Sequence, residues 1–370
     1  MTTFIEQLDP PNGDGPRVAV KDLIDLEGVP TTAACRAVAD DAEPADHDAA
    51  VIVRARAAGA RFVGKANLHE LAYGGTGINL AFGTPVNPLD GSRIPGGSSS
   101  GCAVAVATGE ADIGFGTDTA GSIRTPSACC GTVGLKTTLG LLPTEGIRPL
   151  APSLDTVGPM ARTVADTSRG LALLLPGFDP HAPVAAPTTV ARLRLPEVDG
   201  DVDRAVDDAI ASAGLTSTTV EIDSWMTATD AAVVILLAEA AVVNQSLARR
   251  HPGELGDDVV ERIELGAQIK PAQLLDAVAF ARIFARHLTV LFEHFEVLAM
   301  PTLPVLAPSL TDPNPRNGTH SAPVNLAGVP ALALPVPTGG PIPASIQLVG
   351  PRRSEAALLA TGALIEASVS

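Results

Sequence analysis

The feature that most constrains this chain is a run of small residues at 95–101, PGGSSSG, followed by an alanine- and valine-rich stretch. Clustered glycines let the backbone approach another group closely and adopt positive φ values. Clustered serines bring hydroxyl groups that need hydrogen-bond partners or take part in chemistry. A second small-residue turn, TAGS, follows at 119–122. These two turns flank a predicted helix over 101–111 and indicate a functional loop rather than ordinary core.

Lysine is rare in this sequence, with only four among 370 residues: Lys21, Lys65, Lys136 and Lys270. Lys65 follows RFVG at 61–64, an apolar run that predicts a buried strand. Burial disfavours the ammonium form, so an interior lysine can be neutral near pH 7 and accept a proton. A rare lysine shortly before a Gly/Ser loop therefore suggests a serine nucleophile with a lysine base.

Two other interpretations of the Gly/Ser loop are weaker. A phosphate-binding loop would need GxxxxGK[ST] or GxGxxG, and GGSSSG fits neither pattern. A flexible linker is disfavoured because CAVAVATG, directly after the loop, is typical of a buried helix. His69 stands four residues after Lys65, but a lone histidine is more often a packing residue than a catalytic one.

The spaced motifs resemble those of the amidase signature family, the Ser–cis-Ser–Lys amide hydrolases. Residues 96–101 match the family's GGSS[GS]G motif, and residues 116–126 match its nucleophile turn. In that family the bridging serine is the first of the serine run and the nucleophile lies 24 residues later, which implies Ser98 and Ser122. Lys65 stands where the family's G-K-x-N-x-x-E motif has its lysine, which implies that Lys65 is the base.

Further matches at 18–32, 150–166, 297–308 and 325–336 extend the resemblance over about two thirds of the chain. The resemblance implies an α/β fold, the amidase-signature fold, with a mixed, mainly parallel central sheet covered by helices on both faces. It also implies a cis peptide bond at Gly97–Ser98 and catalysis without a cofactor or a metal.

The second turn offers a curled run of backbone N–H groups that is suited to binding an oxyanion. These candidate donors belong to Thr119, Ala120, Gly121 and Ser122. Residues expected to support the two turns are Ser99, Asp118 and Arg124. The segment between Lys65 and the serine loop is expected to line the substrate pocket with Tyr73, Gly74, Gly75 and Thr76.

Strand and helix patterns alternate along the chain and predict one interleaved α/β domain over 1–370. We expect a catalytic core over about 15–175, a helical substrate-side region over about 178–296 and a return to the core over 297–370. The middle region is compressed relative to typical members of the family, so the substrate class stays open.

Composition narrows the function classes. The net charge is −16 without a basic cluster, which argues against unaided nucleic-acid binding. No apolar run approaches the ~20 residues of a membrane span, and the N-terminus lacks a signal-peptide pattern. The four cysteines have no metal-ligand spacing, so a reducing cytoplasm is expected. The expected partner is a small-molecule amide, and a homodimer is compatible with the sequence.

Together these observations predict an amidase that hydrolyses the C–N bond of a small, linear carboxylic amide through a Ser122 acyl-enzyme, with a proton relay through Ser98 and Lys65. Two alternatives stay open. One is the glutaminase subunit of a tRNA-dependent amidotransferase, and the other is a non-catalytic protein that keeps the fold.

Overall fold

The computed structural model describes residues 3–10, 12–312 and 318–369. Within these residues, eleven strands form one sheet in the order β1-β3-β2-β4-β6-β5-β10-β11-β9-β7-β8. The strands are β1 (Phe4–Gln7), β2 (Arg17–Lys21), β3 (Arg61–Ala66), β4 (Ile113–Asp118), β5 (Val133–Lys136), β6 (Thr156–Ala161), β7 (Thr189–Leu193), β8 (Thr216–Val220), β9 (Leu298–Pro301), β10 (Ala331–Val336) and β11 (Ala344–Val349).

The described helices alternate with these strands in the first half of the chain and are longest between residues 225 and 292. They are α1 (Arg36–Ala39), α2 (Ala50–Ala57), α3 (Ser100–Thr108), α4 (Arg124–Cys130), α5 (Val164–Leu174), α6 (Gly200–Ser212), α7 (Trp225–Arg250), α8 (Asp257–Ala267), α9 (Pro271–Phe292), α10 (Ala322–Leu326) and α11 (Glu355–Val369).

The predicted mixed α/β fold is confirmed, but the expectation of a mainly parallel sheet is wrong. Among the described strands, six pairings are antiparallel and four are parallel. Short connections between consecutive strands explain part of the excess of antiparallel pairs. Only residues 337–343 join β10 to β11, and a link of that length cannot make the crossover that a parallel pair needs.

Helices cover both faces of the sheet, as predicted, because side chains alternate along each strand. In β2, Val18 and Val20 pack in a cluster that contains Ile52 of α2. Ala19, on the opposite face, packs in a cluster that contains Ala103 of α3. The central strands are therefore buried on both sides, and their ends are where polar side chains can reach a common site.

Helix α7 is long and apolar enough, by length and composition alone, to cross a bilayer. In this fold one side of it belongs to the core: Trp225 and Ile235 pack in the cluster that contains Phe284 of α9. The Trp225 and Phe284 rings meet edge to face, with centroids 5.8 Å apart. These contacts are those of a core helix of a globular domain.

Candidate active site

Lys21 is the lysine that contacts the serine loop. It is the last residue of β2, and its Nζ lies 2.7 Å from Ser98 Oγ and 2.8 Å from Thr117 Oγ1. The side chain is fully buried. Burial lowers the pKa of Lys21 to about 7, although the nearby Asp118 carboxylate acts in the opposite direction. A neutral amine is therefore accessible at this position near neutral pH.

The expected contact between Lys65 and Ser98 is wrong, and the register of two strands gives the reason. Lys65 on β3 pairs with Val20, whereas Lys21 pairs with Ala66. Paired residues project to the same face and successive residues to opposite faces, so Lys65 points away from the face that carries Lys21. Lys65 Nζ instead lies 3.1 Å from a carboxylate oxygen of Asp22.

Ser98 is held in a buried turn before α3. The Gly97–Ser98 peptide bond is cis, which confirms the expectation from the resemblance. The Ser98 carbonyl accepts a hydrogen bond of 3.1 Å from the backbone N–H of His69. A Cβ on Gly97 would lie 2.7 Å from the backbone nitrogen of Gly77, so only glycine fits before this serine. The turn thus aims Ser98 Oγ at Lys21.

Ser122 lies in the turn between β4 and α4 and is half-buried. Its backbone carbonyl accepts a hydrogen bond of 3.1 Å from the N–H of Ser99, which fixes the two serine turns against each other. Ser99 Oγ donates to the carbonyl of Thr117, 3.2 Å away. Ser99 therefore supports the site through hydrogen bonds to strand β4 and to the second turn.

Asp118 and Arg124 form the frame of the second turn. The Asp118 carboxylate accepts hydrogen bonds from the backbone N–H groups of Gly121 and Ile123, at 2.8 and 3.1 Å, and from Arg124 Nε at 3.0 Å. Burial alone would raise the pKa of Asp118, but the Arg124 guanidinium holds it well below its usual range. Arg124 also donates to the side chain of Asn325 on α10.

The expected set of four oxyanion donors needs one correction. The Gly121 N–H is already donated to Asp118, so it does not face the cavity as a free donor. Within residues 3–10, 12–312 and 318–369, no hydrogen-bond acceptor lies against the N–H groups of Thr119, Ala120 and Ser122. Ala120 also does not need the positive φ that would favour glycine, whereas Gly121 has φ +124°.

A small cavity of about 150 Å³ opens onto Ser122. Three of the four expected pocket residues line it, namely Tyr73, Gly74 and Gly75. Thr76 is not among the lining residues, because its Oγ1 lies 3.2 Å from His69 Nδ1 instead. The cavity is lined by Ala72, Tyr73, Gly74, Gly75, Gly97, Thr119, Ala120, Gly121, Ser122, Thr125, Leu150, Leu236, Arg262 and Gly318.

Arg262 on α8 is a lining residue that the sequence did not reveal. Its Nη1 donates to the backbone carbonyl of Tyr73, 2.9 Å away, and pairs with Asp258 one helical turn earlier. Asp258 in turn lies 3.0 Å from His69 Nε2. No local motif marks Arg262, because its place at the cavity depends on contacts with Tyr73, which is distant in sequence.

A larger cleft of about 970 Å³ lies elsewhere, between the segment 37–50 and α7. Neither Ser98 nor Ser122 lines it. Size alone therefore does not identify the candidate active site, whereas the convergence of a buried lysine with two serines does.

Known proteins are similar to this chain along most of its length. The family model described as Amidase matches residues 14–359. A glutamyl-tRNA(Gln) amidotransferase subunit of Natronomonas pharaonis is 35% identical, over 98% of this chain and 97% of that protein. AtzE of Pseudomonas sp. (strain ADP), which belongs to a 1-carboxybiuret hydrolase, is 33% identical, over 94% and 82%. A crystal structure of an amidase, 30% identical, superimposes with a TM-score of 0.87 over 96% of this chain and 85% of that one.

Proposed function

Because the chain belongs to the amidase signature family of C–N hydrolases, we propose that it is an amidase acting on a small, linear carboxylic amide. The observation that supports this most is the 2.7 Å contact between Lys21 Nζ and Ser98 Oγ, both buried, beside the cavity that Ser122 lines. In this proposal Lys21 replaces Lys65 as the base.

Ser122 is the nucleophile, and its hydroxyl needs a base before it can attack. Its proton passes through Ser98 to neutral Lys21 while Oγ forms a bond to the amide carbon. The backbone N–H groups of Thr119, Ala120 and Ser122 stabilise the oxyanion. The Lys21 ammonium then returns a proton through Ser98 to the departing nitrogen. Water repeats these steps on the acyl-enzyme and releases the carboxylate.

The size and lining of the cavity bear on the substrate. A cavity of about 150 Å³ is small beside the roughly 300–1,000 Å³ of typical ligand sites, which favours a small acyl group. Tyr73, Leu150 and Leu236 give it apolar walls. Arg262 adds a guanidinium, which favours a hydrogen-bond acceptor such as a carboxylate at the far end of the acyl group.

The test is a panel of small amides, matched in size and differing in a terminal carboxylate, scored for ammonia released by the purified chain. We expect steady release that Ser122→Ala abolishes. Arg262→Gln should raise KM for the carboxylate-bearing amide more than for its neutral match. Ammonia release that persists in Ser122→Ala would contradict the proposed nucleophile, and an equal change in both KM values would contradict the proposed role of Arg262.

A second candidate is the glutaminase subunit of an amidotransferase that passes ammonia to a partner protein. It is favoured by the amidotransferase subunit of Natronomonas pharaonis, of which this chain covers 97%. Ammonia release from simple amides without partner or nucleotide supports the first candidate. The second candidate is supported if glutamine is the only amide that releases ammonia and if release requires an added partner protein.

A further inference from the structure

Lys65 is a fully buried cation that does not reach Ser98. A buried ammonium is costly unless it is paired and hydrogen-bonded, so such a residue stays in a core only with a compensating partner. Lys65 has two polar contacts: Asp22 Oδ1 at 3.1 Å, and Thr31 Oγ1, to which it donates at 2.7 Å. The side chains of both Lys65 and Asp22 have no solvent exposure.

Asp22 is the residue directly after Lys21, and both its backbone and its side chain contact neighbouring segments. Its backbone N–H donates to the carbonyl of Ala66 at 3.0 Å, which extends the pairing of β2 with β3 by one residue. Its second carboxylate oxygen accepts from the backbone N–H of Thr32 at 3.1 Å and from the Thr32 hydroxyl. Asp22 thus ties the end of β2 to β3 through Lys65 and to the following turn through Thr32.

Successive side chains of a strand project to opposite faces of the sheet. When Asp22 is held on one face, the direction of the Lys21 side chain on the opposite face is therefore fixed as well. The Lys21 side chain is fully buried, and its Nζ lies between Ser98 Oγ at 2.7 Å and Thr117 Oγ1 at 2.8 Å. A shift of the end of β2 would therefore change both contacts. We propose that Lys65 is a positioning residue: its buried ion pair with Asp22 locks the end of β2 and so sets where Lys21 stands relative to Ser98.

This inference rests on the proposed function, in which Lys21 is the base. The rate at which a fluorophosphonate labels Ser122 needs no amide substrate, and it distinguishes a failure of this inference from a failure of the proposed function. Absence of labelling in the wild-type chain would count against the proposed function itself. Labelling that is unchanged in every Lys65 and Asp22 variant would count against the positioning role alone.

The decisive pair of variants is Lys65→Arg and Lys21→Arg. Arginine keeps the positive charge and can pair with Asp22, but it does not lose its proton in proteins and cannot act as a base. We expect Lys65→Arg to keep kcat and the labelling rate within about tenfold of the wild type, and Lys21→Arg to lose both. Loss in Lys65→Arg as complete as in Lys21→Arg, with the fold retained by circular dichroism, would overturn the positioning role.

A second set of variants decides the matter even if Lys65→Arg does not fold. Lys65→Met and Asp22→Asn should each lower kcat per folded molecule about a hundredfold with KM unchanged, because each displaces Lys21 without touching the cavity. The double variant should be no worse than either single one, since the pair acts as a unit. A purely structural pair would lower the melting temperature and leave kcat per folded molecule unchanged, which would overturn the inference. Additive losses would overturn it too.

Discussion

Lys21 Nζ and Ser98 Oγ lie 2.7 Å apart with no solvent access to either side chain. Removal from water disfavours the ammonium, and it brings the pKa of Lys21 to about 7. The lysine can therefore gain and lose a proton near pH 7, as a general acid–base catalyst at neutral pH must.

The first prediction is the pH dependence of amide hydrolysis. Below pH 7 Lys21 carries its proton and cannot accept another, and above pH 7 it is neutral. We expect kcat/KM to rise with pH and to level off above a midpoint near 7. The rate of fluorophosphonate labelling of Ser122 should follow the same curve. A profile that is flat down to about pH 5 would exclude a lysine base.

The second prediction links the same lysine to stability. The pKa of Lys21 is lower in the folded protein than the ordinary value of 10.5, so between these values the unfolded chain binds more protons. The free energy of unfolding of the wild type therefore contains a term that rises from pH 7 to pH 10, on the order of a few kcal/mol in total.

Lys21→Met removes that term, so its stability relative to the wild type should fall as the pH rises from 7 to 10. Urea unfolding of both proteins at several pH values measures the difference, and the shared titration of all other groups cancels. A difference that does not change with pH would contradict burial of an ionisable Lys21. Lys65→Met is not a suitable control, because the ion pair with Asp22 changes with it.

The sequence predicts the positions of the two serines in the site, but it does not predict which lysine contacts them. Ser98 and Ser122 lie in turns that can be recognised from the few residues on either side of each serine. Lys21 and Lys65 each follow a short, mainly apolar run, RVAV and RFVG, so their local patterns are similar. Only the pairing of Lys21 with Ala66 decides which lysine faces Ser98, and register between strands is a non-local property.

The residues that line the cavity can likewise be predicted only where they are close in sequence to the recognised motifs. Tyr73 and the glycines after it could be predicted as lining residues because they connect the Lys65 strand to the serine loop. Arg262 could not, since it comes from a helix almost two hundred residues later. Likewise, the TAGS turn predicts that Gly121 is an oxyanion donor, but its N–H donates to the Asp118 carboxylate in the structure.

The third prediction separates the two serines by leaving group. If Ser98 relays protons, Ser98→Ala keeps the nucleophile but slows delivery of a proton to the departing nitrogen. An alkoxide leaves without full protonation and an amine does not, so Ser98→Ala should reduce amide hydrolysis more than hydrolysis of the matching ester. Ser122→Ala should lose both activities, because no acyl-enzyme can form. Equal losses on amide and ester in Ser98→Ala would leave Ser98 without a relay role, and residual ester hydrolysis in Ser122→Ala would contradict the nucleophile.

The last prediction concerns two adjacent small residues of the nucleophile turn. Gly121 has φ +124°, and a Cβ there would lie 2.2 Å from Ser321 Oγ. That hydroxyl cannot simply move away, because it donates to the Ala120 carbonyl at 2.7 Å. Gly121→Ala should therefore shift the turn and lower kcat by at least a hundredfold, since misplacing a nucleophile by ~1 Å has about that effect. The Asp118–Arg124 ion pair should keep the fold, so the far-ultraviolet circular dichroism should be unchanged.

Ala120→Gly is the matched control. Ala120 does not have a positive φ, so glycine only removes a methyl group and frees the backbone, and kcat should stay within about tenfold of the wild type. Gly121→Ala adds a methyl group close to Ser321 Oγ at a positive φ, whereas Ala120→Gly removes one, so a loss confined to Gly121→Ala reports the close packing and backbone conformation at residue 121. If Gly121→Ala were as active as Ala120→Gly, the Ser122 hydroxyl would not depend on the backbone conformation at residue 121, and the turn would not be the element that aims it.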